Sequence, residues 1–174
     1  MQIEASSRID HPRSKVVVAF RDELPAVAAF MPNIREIVTL KREPAATGVH
    51  VHNEWHAKGD IPRVAQGIIK PEMLRWDDLA EWDDATTSCT WVLKLRVFSE
   101  NVRCFGRTVL SDEGGGTRIT LIGSLELDLR NIPGVPRFLA GTIGPQVEKF
   151  VVGMIRPNLE QMNTSLAQYL DAQR

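Results

Sequence analysis

LRWDDLAEWDDATTSCTWVLKLRVFSENVRCFGRTVLSDEGGGTRITLIGSLELDL, residues 74–129, decides the fold. Apolar and polar residues alternate in four runs, Leu74–Asp84, Thr87–Phe98, Val102–Asp112 and Thr117–Leu129. Alternation with period two marks a half-buried strand. Short turns separate the runs. Gly114-Gly115-Gly116 is the plainest of them, because glycine enters positive φ without steric cost. Centring the turns on Ala85-Thr86, Ser99-Glu100 and Gly114-Gly115 gives the antiparallel partners by subtraction. One face then carries the rows Trp82–Cys89–Leu110–Ile119, Ala80–Trp91–Thr108–Leu121, Asp78–Leu93–Gly106–Gly123, Trp76–Leu95–Cys104–Leu125 and Leu74–Val97–Val102–Leu127. The opposite face collects Arg75, Asp77, Glu81, Asp83, Lys94, Arg96, Arg103, Arg107, Arg118, Glu126 and Asp128. All three registers agree on the dry face, which describes a one-sided antiparallel sheet.

The flanking segments supply the rest of the architecture. Gln2 to Asp10 alternates and reads as an opening strand with Ile3, Ala5, Ser7 and Ile9 on one side. Asp10-His11-Pro12 reads as a helix entry, an acidic cap followed by an early proline. Asp22 reads as the cap of a second short helix through Val27 and Phe30, ended by Pro32-Asn33. Ile34–Arg42 and Val49–Lys58 are two further strands, split at Glu43–Gly48. Residues 58–73 are interrupted by Gly59, Pro62, Gly67 and Pro71, and read as a short amphipathic helix or an ordered loop at the mouth of the sheet. Val135–Gly144 reads as a separate helical turn or two. From Gln146 to Ala172 the apolar positions Val147, Phe150, Val151, Met154, Ile155, Leu159, Met162, Leu166, Tyr169 and Leu170 have helical spacing. Gly153 and Pro157 predict a kink there. A curved sheet covered by one long helix encloses space, so a hydrophobic pocket is the leading functional idea.

Composition is that of an ordinary globular chain. The 174 residues are 43% hydrophobic and 25% charged, with a net charge of −1, and one domain over residues 1–174 is expected. No cluster of Lys and Arg with interleaved aromatics points to nucleic acid. No apolar run is long enough to span a bilayer. Met1-Gln2-Ile3-Glu4 lacks the layout of a signal peptide, which makes the cytoplasm the default location. The register places Cys89 and Cys104 about six residues apart along the ladder, roughly 20 Å. Bridging needs Cα atoms within about 7 Å, so two reduced thiols are expected.

Three groups of residues carry possible chemistry. Asp78 is a carboxylate on the apolar face, where desolvation raises its pKa. It would anchor a ligand hydroxyl or act as a general base, unless a bulge at Trp76-Asp77-Asp78 turns it outward or it lies at the sheet rim. Gly106 and Gly123 share its row, and mark either a bend in the sheet or room for a ligand. His50, His52, Glu54 and His56 alternate along one strand, and neighbouring imidazoles there lie near enough to share a metal. The apolar residues Val49, Val51 and Trp55 take the other face, so the histidines are expected to face solvent, and His50 and His52 are weak metal candidates only. Trp55, Trp76, Trp82 and Trp91 all fall on the dry face as core or as flat pocket walls. Ser7, Asn53 and Thr108 are the other polar groups expected inward. No phosphate-binding glycine loop, nucleophile turn or paired-cysteine metal motif is visible, and no cofactor is called for.

The order of strand, two short helices, six-stranded meander and long C-terminal helix resembles the START-like, or SRPBCC, superfamily. That family includes the birch-pollen allergen, lipid-transfer START domains and bacterial polyketide cyclases/dehydrases. The resemblance covers essentially the whole chain and rests on architecture: the entry at Asp10-His11-Pro12, the segment from Asp22 to Pro32 before Ile34, and the tail helix. It implies an α+β helix-grip fold, a curved seven-stranded antiparallel sheet wrapped on the C-terminal helix, with a cavity between them for lipids, sterols, polyketides or plant-hormone-like molecules. No catalytic motif carries over, and residues 59–73 look longer than the simplest members need, as a lid would be. The expected partner is a small hydrophobic molecule, held by Trp55, Trp76, Asp78, Trp91, Leu93, Leu95, Gly106, Thr108, Leu121, Gly123, Leu125, Phe150, Val151 and Met154. The rivals are a cyclase or dehydratase-like enzyme using an inward carboxylate, and a protein-interaction module with a filled core and an apolar patch on the tail helix.

Overall fold

The computed structural model describes residues 1–59, 61, 63, 66, 67, 69–128 and 137–174, without the side chains of 137–140 and 143. Strand β1 (Gln2–Ile9) is followed by helix α1 (Arg13–Arg21), the single turn α2 (Leu24–Val27) and a 3-10 turn (Ala28–Phe30). Then come β2 (Ile34–Ala45), β3 (Gly48–Ala57), β4 (Arg75–Asp83), β5 (Ser88–Leu95), β6 (Val102–Glu113), β7 (Gly116–Leu127) and the long helix α3 (Arg137–Asp171). The seven strands form one antiparallel sheet in the order β1-β7-β6-β5-β4-β3-β2. This is the α+β helix-grip arrangement. None of the helices among the described residues is long and apolar enough to cross a membrane.

The two tight hairpins have the expected register. Trp82 pairs with Cys89 and Asp78 with Leu93 across β4–β5. Leu110 pairs with Ile119 and Gly106 with Gly123 across β6–β7. The β5–β6 hairpin differs. Trp91 lies opposite Gly106 and Leu93 opposite Cys104, two residues away from the partners expected. The tight turn sits at Phe98–Asn101, where the Asn101 N–H donates to the Phe98 carbonyl at 2.8 Å and Phe98 takes φ +55°. Val97 and Phe98 turn inward and are buried. A slip of two residues preserves facing, so the dry face is unchanged while every cross-strand partner changes. Cys89 and Cys104 are then four residues apart along β6, not six, and both are free and buried.

Other boundaries moved for local reasons. Asp10 does not cap α1, whose N-cap is Pro12; the Asp10 carboxylate is held by the Arg8 guanidinium instead. Asp22 ends α1, and Glu23 precedes α2. The Asp22 carboxylate binds Arg21 at 2.9 Å and Arg42 at 2.6 Å, which holds its pKa below the usual carboxylate range. The β2–β3 hairpin continues through Pro44, which pairs with Val49, and turns at Ala46-Thr47. Proline is tolerated there because β2 is an edge strand with one ladder to satisfy. Gly144-Pro145 does not divide the C-terminal helix, which runs unbroken from Arg137. The proposed lid falls partly outside the described residues; within them Pro71–Met73 is a 3-10 turn.

The C-terminal part of α3 is tied to the start of the chain. Tyr169 donates its hydroxyl hydrogen to Glu23 at 2.9 Å and packs edge-on against Phe30. Ser165 donates to the Phe30 carbonyl, and His11 Nε2 meets Asp171 at 2.9 Å. Val147, Val151, Ile155 and Leu166 are fully buried against the rest of the core. Each such side chain contributes roughly 1.5–3 kcal/mol when withdrawn from water.

Candidate functional site

The sheet's dry face and α3 enclose a narrow cavity, and Phe20 of α1 and Leu24 of α2 complete its wall. From the sheet come Asn53, Trp55, Trp76, Asp78, Ala80, Trp82, Cys89, Trp91, Leu93, Thr108 and Leu121; from α3 come Ile155, Asn158, Leu159 and Met162. The indoles are locked in place. Trp55 and Trp76 stack with centroids 5.6 Å apart, and Phe20 meets Trp82 edge-on at 5.3 Å. Trp91 Nε1 donates to Thr108 Oγ1 at 3.1 Å. The room left for the centre of a water molecule is about 40 Å³. That suits a few waters and is well below the roughly 300–1,000 Å³ of pockets that hold drug-sized ligands.

Asp78 faces this cavity. The β3–β4 and β4–β5 ladders run without interruption through Asn53–Asp78 and Asp78–Leu93, so no bulge turns it outward. The residue is 8% exposed. Burial pushes its pKa up to about 7, opposed by hydrogen bonds from Trp55 and Asn53 and by the His52 charge. Trp55 Nε1 donates to Asp78 Oδ2 at 3.3 Å. Thr39 donates to Asn53 Oδ1 at 2.7 Å, which leaves the Asn53 amino group for the carboxylate. Near neutral pH the group therefore populates both the acid and the carboxylate, as a general acid or base requires. Cys89 and Cys104 are raised too, Cys104 to about 12, by burial and then by the Asp78 charge.

Of the residues anticipated around a ligand, Trp55, Trp76, Asp78, Trp91, Leu93, Thr108 and Leu121 meet at the cavity. Gly106 and Gly123 do not open its floor. The Trp91 ring occupies the space above both, and a β-carbon at either position would stand 2.4 or 2.6 Å from it. This close approach follows from the two-residue slip that sets Trp91 opposite Gly106. Leu95, Leu125 and Val151 belong to the core beyond the lining. Phe150 and Met154 line a separate groove of about 400 Å³ with Ala57, Leu74 and Gln146. The helix meets the cavity about one turn later, at Ile155, Asn158, Leu159 and Met162. Asn158 was legible in principle, because 151, 155, 158 and 162 are spaced as one helical face and Asn158 is its polar member.

The histidine face of β3 points away from the cavity, into polar contacts with carboxylates. His52 meets Asp77 at 2.9 Å, and His56 meets Glu54 at 2.8 Å. Arg96 bridges Glu54 and Asp77, both at 3.0 Å. His50 is exposed. Among the described residues no three His, Cys, Asp or Glu side chains are grouped to hold a metal ion. The large exposed apolar residues among those described lie on β2, β5, β6, β7, α1 and at Met1, and none is on α3.

The whole-chain comparison with solved structures decides the fold. The protein TTHA0849 from Thermus thermophilus superposes with a TM-score of 0.68 at 22% identity, over 99% of this chain and 98% of that one. The ZhuI aromatase/cyclase from Streptomyces sp. R1128 superposes at 0.66 with 14% identity, over 100% and 96%. A START superfamily protein from Mycobacterium smegmatis gives 0.50 at 12% identity, over 92% and 98%. The chain has the START-like fold. No protein-family model matches the sequence, and no curated protein sequence does. The START-like fold thus rests on shape, shared along nearly the full length of each neighbour.

Proposed function

We propose that this START-like chain binds a small, largely apolar molecule between the sheet and α3, as a carrier or sensor. The observation that carries the reading is Asp78, a hydrogen-bonded carboxyl in a mostly apolar, indole-lined cavity. A protein with no use for that position fills it with an aliphatic side chain, because a buried carboxyl is costly. The flat indoles favour a ring system, though an acyl chain or a polyketide also suits apolar walls. A ligand of that size displaces α3 from the sheet, since the closed cavity holds only a few waters. Native mass spectrometry of the protein purified from its own host is the test. A copurifying small molecule supports the reading, and its loss in Trp91→Ala places it in the cavity. If the protein carries none and a panel of two-ring aromatics leaves its tryptophan fluorescence unchanged, the reading is wrong.

A second reading, favoured by the same carboxyl, is proton transfer to or from a bound polyketide or aromatic. The pKa near 7 suits a general acid or base, and one structural neighbour is an aromatase/cyclase. Asp78→Asn then abolishes turnover and leaves folding intact. Turnover that survives the substitution removes this second reading and leaves the first standing.

A further inference from the structure

Asn158 gives the cavity a polar feature on the wall opposite Asp78. It sits on α3 between Ile155 and Met162, on the face turned to the sheet, and is 3% exposed. Its Nδ2 donates to the Met154 carbonyl at 2.7 Å. A carbonyl only accepts, so this bond fixes which end of the amide is which. Oδ1 is the other end. It is buried and, among the described residues, meets no hydrogen-bond donor.

Two donors of the lining are already committed. The indole N–H of Trp55 goes to Asp78, and that of Trp91 goes to Thr108. Asn158 Oδ1 is left on the helix side as an acceptor that meets no donor among the described residues. Buried amide oxygens in folded proteins are nearly always paired, by protein, water or ligand. Asparagine is also a poor helix former, and the bond to Met154 duplicates one that the backbone N–H at 158 makes in a regular helix.

We infer that the ligand carries a hydroxyl or N–H group at the end that meets α3, and that Asn158 Oδ1 accepts from it and selects for it. The inference rests on the cavity being the ligand site, as proposed above. Its ligand is then an apolar body with a polar group at the helix wall, gripped from the sheet side at Asp78. An analogue of the same shape without the donor leaves Oδ1 buried and unpaired, and a site of that kind rejects such analogues strongly.

Isothermal titration of the full chain with 2-naphthol and with 2-methoxynaphthalene at pH 7 tests this. The two share the ring system and differ in the O–H. Wild-type protein is expected to prefer 2-naphthol by about tenfold or more. Asn158→Leu, close in volume but without the acceptor, brings the preference down to about threefold or less. Asn158→Asp keeps an acceptor and loses the donor to Met154, so it retains the preference even where it costs stability. Should Asn158→Leu fail to fold, Asn158→Ala replaces it. Equal affinity of wild type for both probes, or an unchanged ratio in the Leu and Ala variants, overturns the inference and leaves the cavity reading intact. Binding of neither probe overturns both.

Discussion

The indole of Trp91 lies so close over Gly123 that a β-carbon there would stand 2.6 Å from its ring. The pair explains two glycines side by side on an apolar sheet face. They make room for a wall of the cavity, and the cavity's contents begin beyond that wall.

Gly123→Ala is therefore expected to destabilise the fold by about 1–3 kcal/mol through overpacking. The clash is mainly with the far end of Trp91, so Trp91→Leu in the same chain relieves most of it. A double-mutant cycle by urea denaturation measures the coupling. Gly106→Ala is not relieved in that way, because its β-carbon would also stand 2.4 Å from the Ile122 carbonyl oxygen.

Asp78 makes stability depend on pH. Its folded pKa is raised from 3.8 to about 7, so between these values the folded chain holds a proton that the unfolded chain has lost. The contribution is full below about pH 4 and is lost as pH rises through about 7. Asp78→Asn removes this slope. At pH 8 the variant is expected to be more stable than wild type, by up to about 4 kcal/mol. Urea midpoints of both proteins at pH 5 and pH 8 check it; parallel midpoints would show that the carboxyl is not buried.

Both thiols are silent until the sheet opens. Cys89 and Cys104 are buried and their pKa values are pushed well up, and the thiolate is the reactive form. At pH 8 a chromogenic disulfide reagent is expected to label neither in the folded protein and two per chain in urea. Rapid labelling of the native chain would place one of them at the surface.

Pro157 stands inside α3. It has no N–H for the carbonyl of Gly153 and costs helix stability. Pro157→Ala is expected to raise stability by about 1–3 kcal/mol in thermal or urea unfolding. No gain would mean that packing of α3 against the sheet offsets the cost of the proline.

Short-range chemistry was easy to read. The turns at Ala85-Thr86 and Gly114-Gly115 lock their strands within a few residues, so Trp82–Cys89 and Leu110–Ile119 pair as expected. The tight turn keeps its Ser99-Glu100 centre, but the register slips because residues 96–98 leave the ladder before it and Val97 and Phe98 tuck into the core. Nothing local announces that choice. Asp10 and Asp22 have the composition of helix caps, yet nearby arginines compete for both carboxylates.

Alternation by itself settled the sheet's dry face and put the four indoles and Asp78 upon it, because facing has period two and survives any even slip. Tertiary structure alone decided what meets across the gap: Trp91 over the paired glycines, and Asn158, rather than Phe150 and Met154, at the cavity. The stripe along α3 gives its buried side but not its height against the sheet. That height depends on contacts between segments distant in sequence, such as Tyr169 with Glu23 and His11 with Asp171.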